Sequence, residues 1–112
     1  MVKSNQAVYS AARKHLLTQL KHSKVATRCL LRGPDNLKCA LGIFIPDDEY
    51  TESLEDGPVH DSNFNSYWYF SERGYDILLL KDLQQIHDMY EVEDWKEQLD
   101  LVAQDFNLKV ED

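Results

Sequence analysis

Residues 25–45, VATRCLLRGPDNLKCALGIFI, decide the fold class of this chain, because the segments around them carry helical patterns and this one does not. Residues 25–32 alternate, with Cys29 and Leu31 on one face and Arg28, Leu30 and Arg32 on the other, the period of an extended strand. Gly33, Pro34, Asp35 and Asn36 then supply turn chemistry: proline fixes φ, and the other three tolerate turn geometries. The segment reads as a small β-hairpin. Its return arm allows a second reading, a short buried helix from Cys39, since Ala40, Leu41 and Gly42 are weak strand formers. Pro46 stops either one.

Upstream, residues 5–22 have the pattern of an amphipathic helix capped by Ser4. At 100° per residue Val8, Tyr9, Ala12, Leu16 and Leu20 share the arc of a core-facing stripe, with Arg13, Lys14 and Lys21 assigned to the other side. His15 and His22 flank the stripe. Downstream lies an aromatic cluster, Phe64, Tyr67, Trp68, Tyr69 and Phe70, whose spacing suits a helix ending at Gly74. Asp76 can cap a helix over residues 77–90, with Leu79, Leu80, Leu83, Ile86, His87 and Tyr90 on one face. Asp94 and Glu97 have the spacing of a capping box. The helix they open turns Trp95, Leu99, Val102, Ala103 and Phe106 one way, and Asn107 can end it in a left-handed conformation. The expected class is α+β: one mostly helical domain over residues 1–112 with a small β-hairpin at about residues 25–45.

The 112 residues carry a formal charge of -8, unevenly distributed. Residues 1–46 hold eight basic side chains and one acid, a net +7; residues 47–112 hold four basic side chains and nineteen acids, a net -15. Residues 47–61, DDEYTESLEDGPVHD, hold seven carboxylates and no lysine or arginine. No apolar run approaches the ~18–20 residues of a membrane span, and the first residues lack a secretory pattern. Two cysteines, Cys29 and Cys39, are too few for a disulfide framework or a four-cysteine zinc site, so both are expected free in a reducing compartment.

Three constellations suggest chemistry, and each has a simpler reading. His60-Asp61 and His87-Asp88, with His15 and Asp105, follow the order of metal ligands in HD-type phosphohydrolases, where imidazoles and carboxylates converge on metal ions. His87 lies on an apolar stripe, however, where a packed and hydrogen-bonded histidine is the usual outcome, and Asp88 leaves the helix about 100° away. Cys29 or Cys39 with a histidine could form a nucleophilic pair, with Arg28 and Arg32 lowering the Cys29 pKa, yet no local signature surrounds either thiol and buried cysteines are common. The aromatics with Arg28, Arg32 and Lys38 resemble a stacking platform for single-stranded nucleic acid, but the net charge opposes a polyanion. The acidic stretch lacks the alternation of a calcium loop, and Gly33, Gly42, Gly57 and Gly74 are too scattered to cradle a phosphate. No metal and no cofactor are expected.

Cys29-Leu30-Leu31-Arg32-Gly33, continuing through Lys38-Cys39-Ala40-Leu41-Gly42 to Ile45-Pro46-Asp47-Asp48-Glu49-Tyr50, resembles a family of small uncharacterised phage and prophage proteins with a C-x-x-R-G … K-C-A-x-G-x-x-I-P-D-x-x-Y core. Leu83-Gln84-Gln85-Ile86-His87-Asp88 followed by Trp95 is similar to that family's second block. The resemblance implies a phage or mobile-element origin and action in the host cell cytoplasm; it implies no activity.

Compact accessory proteins of that origin commonly bind and block a host machine, including defence complexes such as CRISPR effectors. The expected function is therefore a non-enzymatic acidic inhibitor or adaptor of a host protein complex, its carboxylates standing where a basic surface expects phosphates. The residues expected to carry binding are Asp47, Asp48, Glu49, Glu52, Glu55 and Asp56, with Asp94, Glu97 and Asp100 nearer the end. The alternatives are a small Cys/His enzyme of hydrolase type and a structural or assembly component of the particle. Neither nucleic acid nor membrane is an expected partner.

Overall fold

The computed structural model describes residues 4–25 and 28–110, with Val25 and Arg28 as backbone only. Four helices carry the architecture: α1 (Asn5–Gln19), α2 (Asn65–Glu72), α3 (Ile77–Met89) and α4 (Trp95–Asp105). α1, α3 and α4 pack on one another, while α2 lies against α3 and the 3₁₀ turn Glu52–Glu55. Tyr9, Leu16, Leu41, Val59, Phe70, Leu80, Leu83, Trp95 and Leu99 are fully buried in one shared core.

Local chemistry explains where each helix starts and stops. The Ser4 hydroxyl accepts from the Ala7 N–H at 3.3 Å, and the Asp76 carboxylate accepts from Leu78 and Leu79 N–H at 3.0 and 3.4 Å, each satisfying donors that a helix start leaves free. Asn107 is left-handed (φ 55), as its position suggested. The capping box does not form: Asp94 sits in helical geometry at the end of the 3₁₀ turn Val92–Asp94, and its side chain makes no cap bond. α1 is shorter than its periodicity indicates. Leu20 turns left-handed (φ 52) and stands 51% exposed, off the stripe it was expected to share. Gln19 explains the stop. Its amide donates to Lys21 and Lys38 carbonyls and accepts from the Lys38 N–H, binding the helix end to a distant loop.

The α+β class and the hairpin over residues 25–45 are overturned; the domain is helical. Among the described residues, antiparallel pairing is confined to two residues on each side, β1 (Lys24–Val25) with β2 (Arg28–Cys29), and an isolated bridge between Arg32 and Lys38. The physical reason is the Glu55 carboxylate, which accepts from the Leu31 N–H at 2.7 Å and the Arg32 N–H at 3.1 Å. These donors are satisfied by a side chain rather than by a longer strand ladder. The turn forms through Pro34–Asn36, with Asp35 and Asn36 left-handed. Past Cys39 the chain curls into a 3₁₀ turn, Gly42–Phe44, so the helical alternative for the return arm is nearer to what folds.

Arg13 departs most sharply from expectation. It is 1% exposed, its Nη1 donating to Asp100 Oδ1 at 2.8 Å and to the Tyr9 hydroxyl at 3.2 Å. The Tyr9 hydroxyl in turn donates to the Leu99 carbonyl at 2.8 Å, joining α1 to α4. On the helical wheel Arg13 falls just beyond Leu20, at the margin of the stripe and not opposite it.

Two substitutions test this packing by urea or thermal unfolding. A Cβ on Gly42 would lie 2.0 Å from the Leu31 carbonyl oxygen, so Gly42→Ala is expected to cost about 2–3 kcal/mol. Arg13→Ala is expected to cost about 2 kcal/mol, short of a wholly buried pair because the Asp100 carboxylate is 42% exposed and keeps water.

Candidate functional site

The last turn of α3 carries Ile86-His87-Asp88, and a cleft opens beside it. His87 belongs to the buried face of the helix and is 0% exposed. Its Nε2 accepts from the Ser23 N–H at 2.8 Å. That bond requires a bare Nε2, so in a neutral ring the hydrogen is on Nδ1, which faces Asp88 Oδ1 at 2.6 Å and donates to it. Asp88 was expected to point about 100° away; its short side chain folds back to meet the ring. The Cys29 thiol of β2 lies near the same carboxylate. Ligating atoms of Cys29, His87 and Asp88 all lie within 4.8 Å of one another. The cleft, about 620 Å³, is walled by Leu30, Leu31, Leu54 and Pro58, with Glu55, Asp56 and Asp88 as its carboxylates. Lysine and arginine are absent from its described lining.

The donor set resembles a metal site or a thiol nucleophile, and its hydrogen bonds oppose both. An imidazole whose Nε2 accepts an N–H and whose Nδ1 carries hydrogen has no lone pair left for an ion, so metal binding would break the Ser23 bond. The other members of the HD-type order are elsewhere. His60 is exposed, Asp61 accepts from the Asn63 N–H, and His15 donates to the Lys38 carbonyl at 2.8 Å. Burial lowers the His15 pKa despite that bond, with the Lys38 charge adding to the shift. Burial, followed by the adjacent Asp88 charge, pushes the Cys29 thiol up to about 11. Cys39, fully enclosed, is pushed up to about 12 by burial. A thiol held protonated is a poor nucleophile. Arg28, expected to lower the Cys29 pKa, has its side chain outside the described residues; Arg32 is engaged with Ile45 and Asp47.

Two of the five aromatics of the segment, Tyr69 and Phe70, belong to the core. Tyr69 and Phe70 are buried, and Trp68, half exposed, donates its indole N–H to the Ser62 carbonyl at 2.8 Å. Within this segment Arg73, not the expected Arg32 or Lys38, covers an aromatic face, lying 3.6 Å from the Tyr69 ring centroid, while Arg32 lies over Tyr50.

The nine acids expected to bind a partner divide into two sets. Five are engaged inside the molecule. Asp47 pairs with Arg32 at 2.8 Å. Glu49 accepts from the Tyr69 hydroxyl at 2.7 Å and pairs with Arg73, which hold its carboxyl below the usual range. Glu55 takes two backbone N–H groups and the Tyr50 hydroxyl. Asp56 accepts from the Asn65 N–H at 3.0 Å, capping α2. Asp100 holds Arg13. Asp48, Glu52, Asp94 and Glu97 are exposed, and no hydrogen bond or ion pair engages their side chains among the described residues. The grouping of Cys29 with Asp88 left no mark in the sequence, since 59 positions separate them. Comparison with protein-family models, with curated proteins and with solved structures finds no match. No helix among the described residues is long and apolar enough to cross a membrane.

Thiol titration with an aromatic disulfide at pH 8 tests the Cys29 environment. Cys29 is expected to react about 100-fold more slowly than a free thiol, and Cys39 more slowly still. Asp88→Asn removes the repelling charge, so Cys29 labelling should accelerate; unchanged kinetics would remove Asp88 as a cause.

Proposed function

We propose that the protein acts by binding, as an acidic inhibitor or adaptor that captures the basic surface of a host protein complex. The observation that carries the reading is the set of four uncommitted, exposed carboxylates, Asp48, Glu52, Asp94 and Glu97. Arg13 and Arg32, two of the basic groups of the N-terminal half, are tied to Asp100 and Asp47 and do not offset them. Lys14, Lys21 and Lys24 do remain exposed, so the charge separation along the chain survives folding in part. A surface of this sign steers a positively charged partner and slows approach to nucleic acid or an anionic membrane. The resemblance to phage and prophage proteins supports a host target in the cytoplasm, and a nucleic-acid-mimicking role against a defence complex is the specific form proposed. The Cys/His enzyme has less support, because the histidine at the cleft is fully bonded and the thiol beside it is held protonated.

The test is charge reversal at the free acids, D48K/E52K/D94K/E97K, with tagged protein used to capture partners from host extract. Folding should be unaffected, since these side chains make no internal bonds. Association with the captured partner should slow about tenfold or more at low salt, and the difference should shrink as salt rises. Equal capture by the wild type and the fourfold variant at low salt would defeat the proposal.

A further inference from the structure

Seven large apolar residues stand exposed among those described, and four of them, Leu78 (66%), Met89 (73%), Tyr90 (40%) and Leu101 (45%), belong to α3, α4 and the residue that ends α3. Their placement is ordered. At 100° per residue Leu78, Asp82, Gln85 and Met89 fall within about 60° of arc on α3, and Gln98, Leu101 and Asp105 within about 60° on α4. A groove of about 210 Å³ runs between the two helices, with Ile86, Tyr90, Leu101 and Val102 as its apolar lining and Asp82 and Asp105 as its charges. Its described lining contains no lysine or arginine.

We infer that this groove docks a basic amphipathic helix of a partner protein, its apolar side chains seated on Tyr90 and Leu101 and its lysines or arginines facing Asp82 and Asp105. The inference rests on the reading of the chain as a binder of basic protein surfaces and gives that reading a second, partly apolar contact. Size favours a side-chain anchor over a small molecule, whose pockets run about 300–1,000 Å³. Charge selects among occupants. A second copy docked groove to groove would bring Asp82 and Asp105 against acids of its own kind, and an anionic bilayer would be repelled by them. An amphipathic helix laid in a groove supplies apolar groups at the i, i+3, i+4 and i+7 spacing that two exposed helical stripes can accept.

The experiment uses the full chain and a fluorescent 18-residue leucine–lysine peptide with amphipathic spacing, followed by anisotropy at low and moderate salt. A peptide of the same composition in non-amphipathic order is the control. The ordered peptide should bind at least tenfold more tightly than the shuffled one. Met89→Ser with Leu101→Ser, both at exposed positions, should weaken it about tenfold at both salt concentrations. Asp82→Asn with Asp105→Asn should weaken it mainly at low salt. Thermal melts check that each variant folds. Equal binding of the two peptides, or unchanged binding to the Met89/Leu101 variant, overturns the groove. So does self-association of the wild type that the same variant abolishes, because the face would then be an interface between copies. If the groove variants bind the peptide normally while the fourfold charge reversal loses the host partner, the groove fails and the proposed function stands. If the peptide behaves as expected while host capture ignores the four acids, the groove stands without that function.

Discussion

The His87 imidazole is the constraint on which the surrounding structure depends. A ring with two polar atoms, fully buried, is stable only if both find partners. One takes the Ser23 N–H and the other gives its hydrogen to Asp88. The first bond positions the chain as it leaves α1, and Ser23 also accepts from Leu30 through its carbonyl and donates to Leu37 through its hydroxyl. The second draws Asp88 back toward Cys29 and so defines the end of the cleft. His22 and Trp95 close over the ring edges, with centroids 5.4 and 5.7 Å from it, bringing the start of α4 into the same cluster. The chain after α1, the end of α3 and the start of α4 are thus registered by one side chain.

A second device gives the middle of the chain its irregular path. Glu55 reaches from the acidic stretch to take the backbone donors of Leu31 on Oε1 and Arg32 on Oε2, and the Tyr50 hydroxyl also donates to Oε2. A carboxylate accepting several hydrogen bonds replaces a short length of strand. The arrangement leaves the return arm free to curl, and Gly42 permits its closest approach to the Leu31 carbonyl. Arg32 completes the region by donating to the Ile45 carbonyl and pairing with Asp47, beneath the Tyr50 ring. Two of the seven carboxylates of the stretch, Asp47 and Glu55, therefore hold the basic segment that precedes it. The charge asymmetry of the sequence is partly a folding device, and the recognition surface is what remains after it.

The helices were legible because their signals are local. Ser4 and Asp76 mark helix starts through bonds spanning two or three residues, and the stripes of α3 and α4 reflect helical periodicity. Val8, Tyr9, Ala12 and Leu16 were placed correctly, and Arg13 was not, because a charge at the margin of a stripe resembles a solvated residue until its partner is known. That partner, Asp100, lies 87 positions away. The same limit applies to the acids: composition marked all nine, but only their partners separate Glu55 and Asp100 from Glu52 and Glu97.

By itself the sequence determined the four helices and most of their buried faces, Leu20 and Tyr90 apart, since 3.6-residue periodicity needs no information from elsewhere. It also determined the excess of acid. The tertiary structure decided that residues 25–45 would not form an extended hairpin, that Arg13 would go inside, that His87 would be bonded at both nitrogens, and which carboxylates would stay free. The physical reason is common to all four. A polar group's state depends on its hydrogen-bond partner, and here the partners of Leu31, Arg13, His87 and the acids are supplied largely by segments remote in the chain.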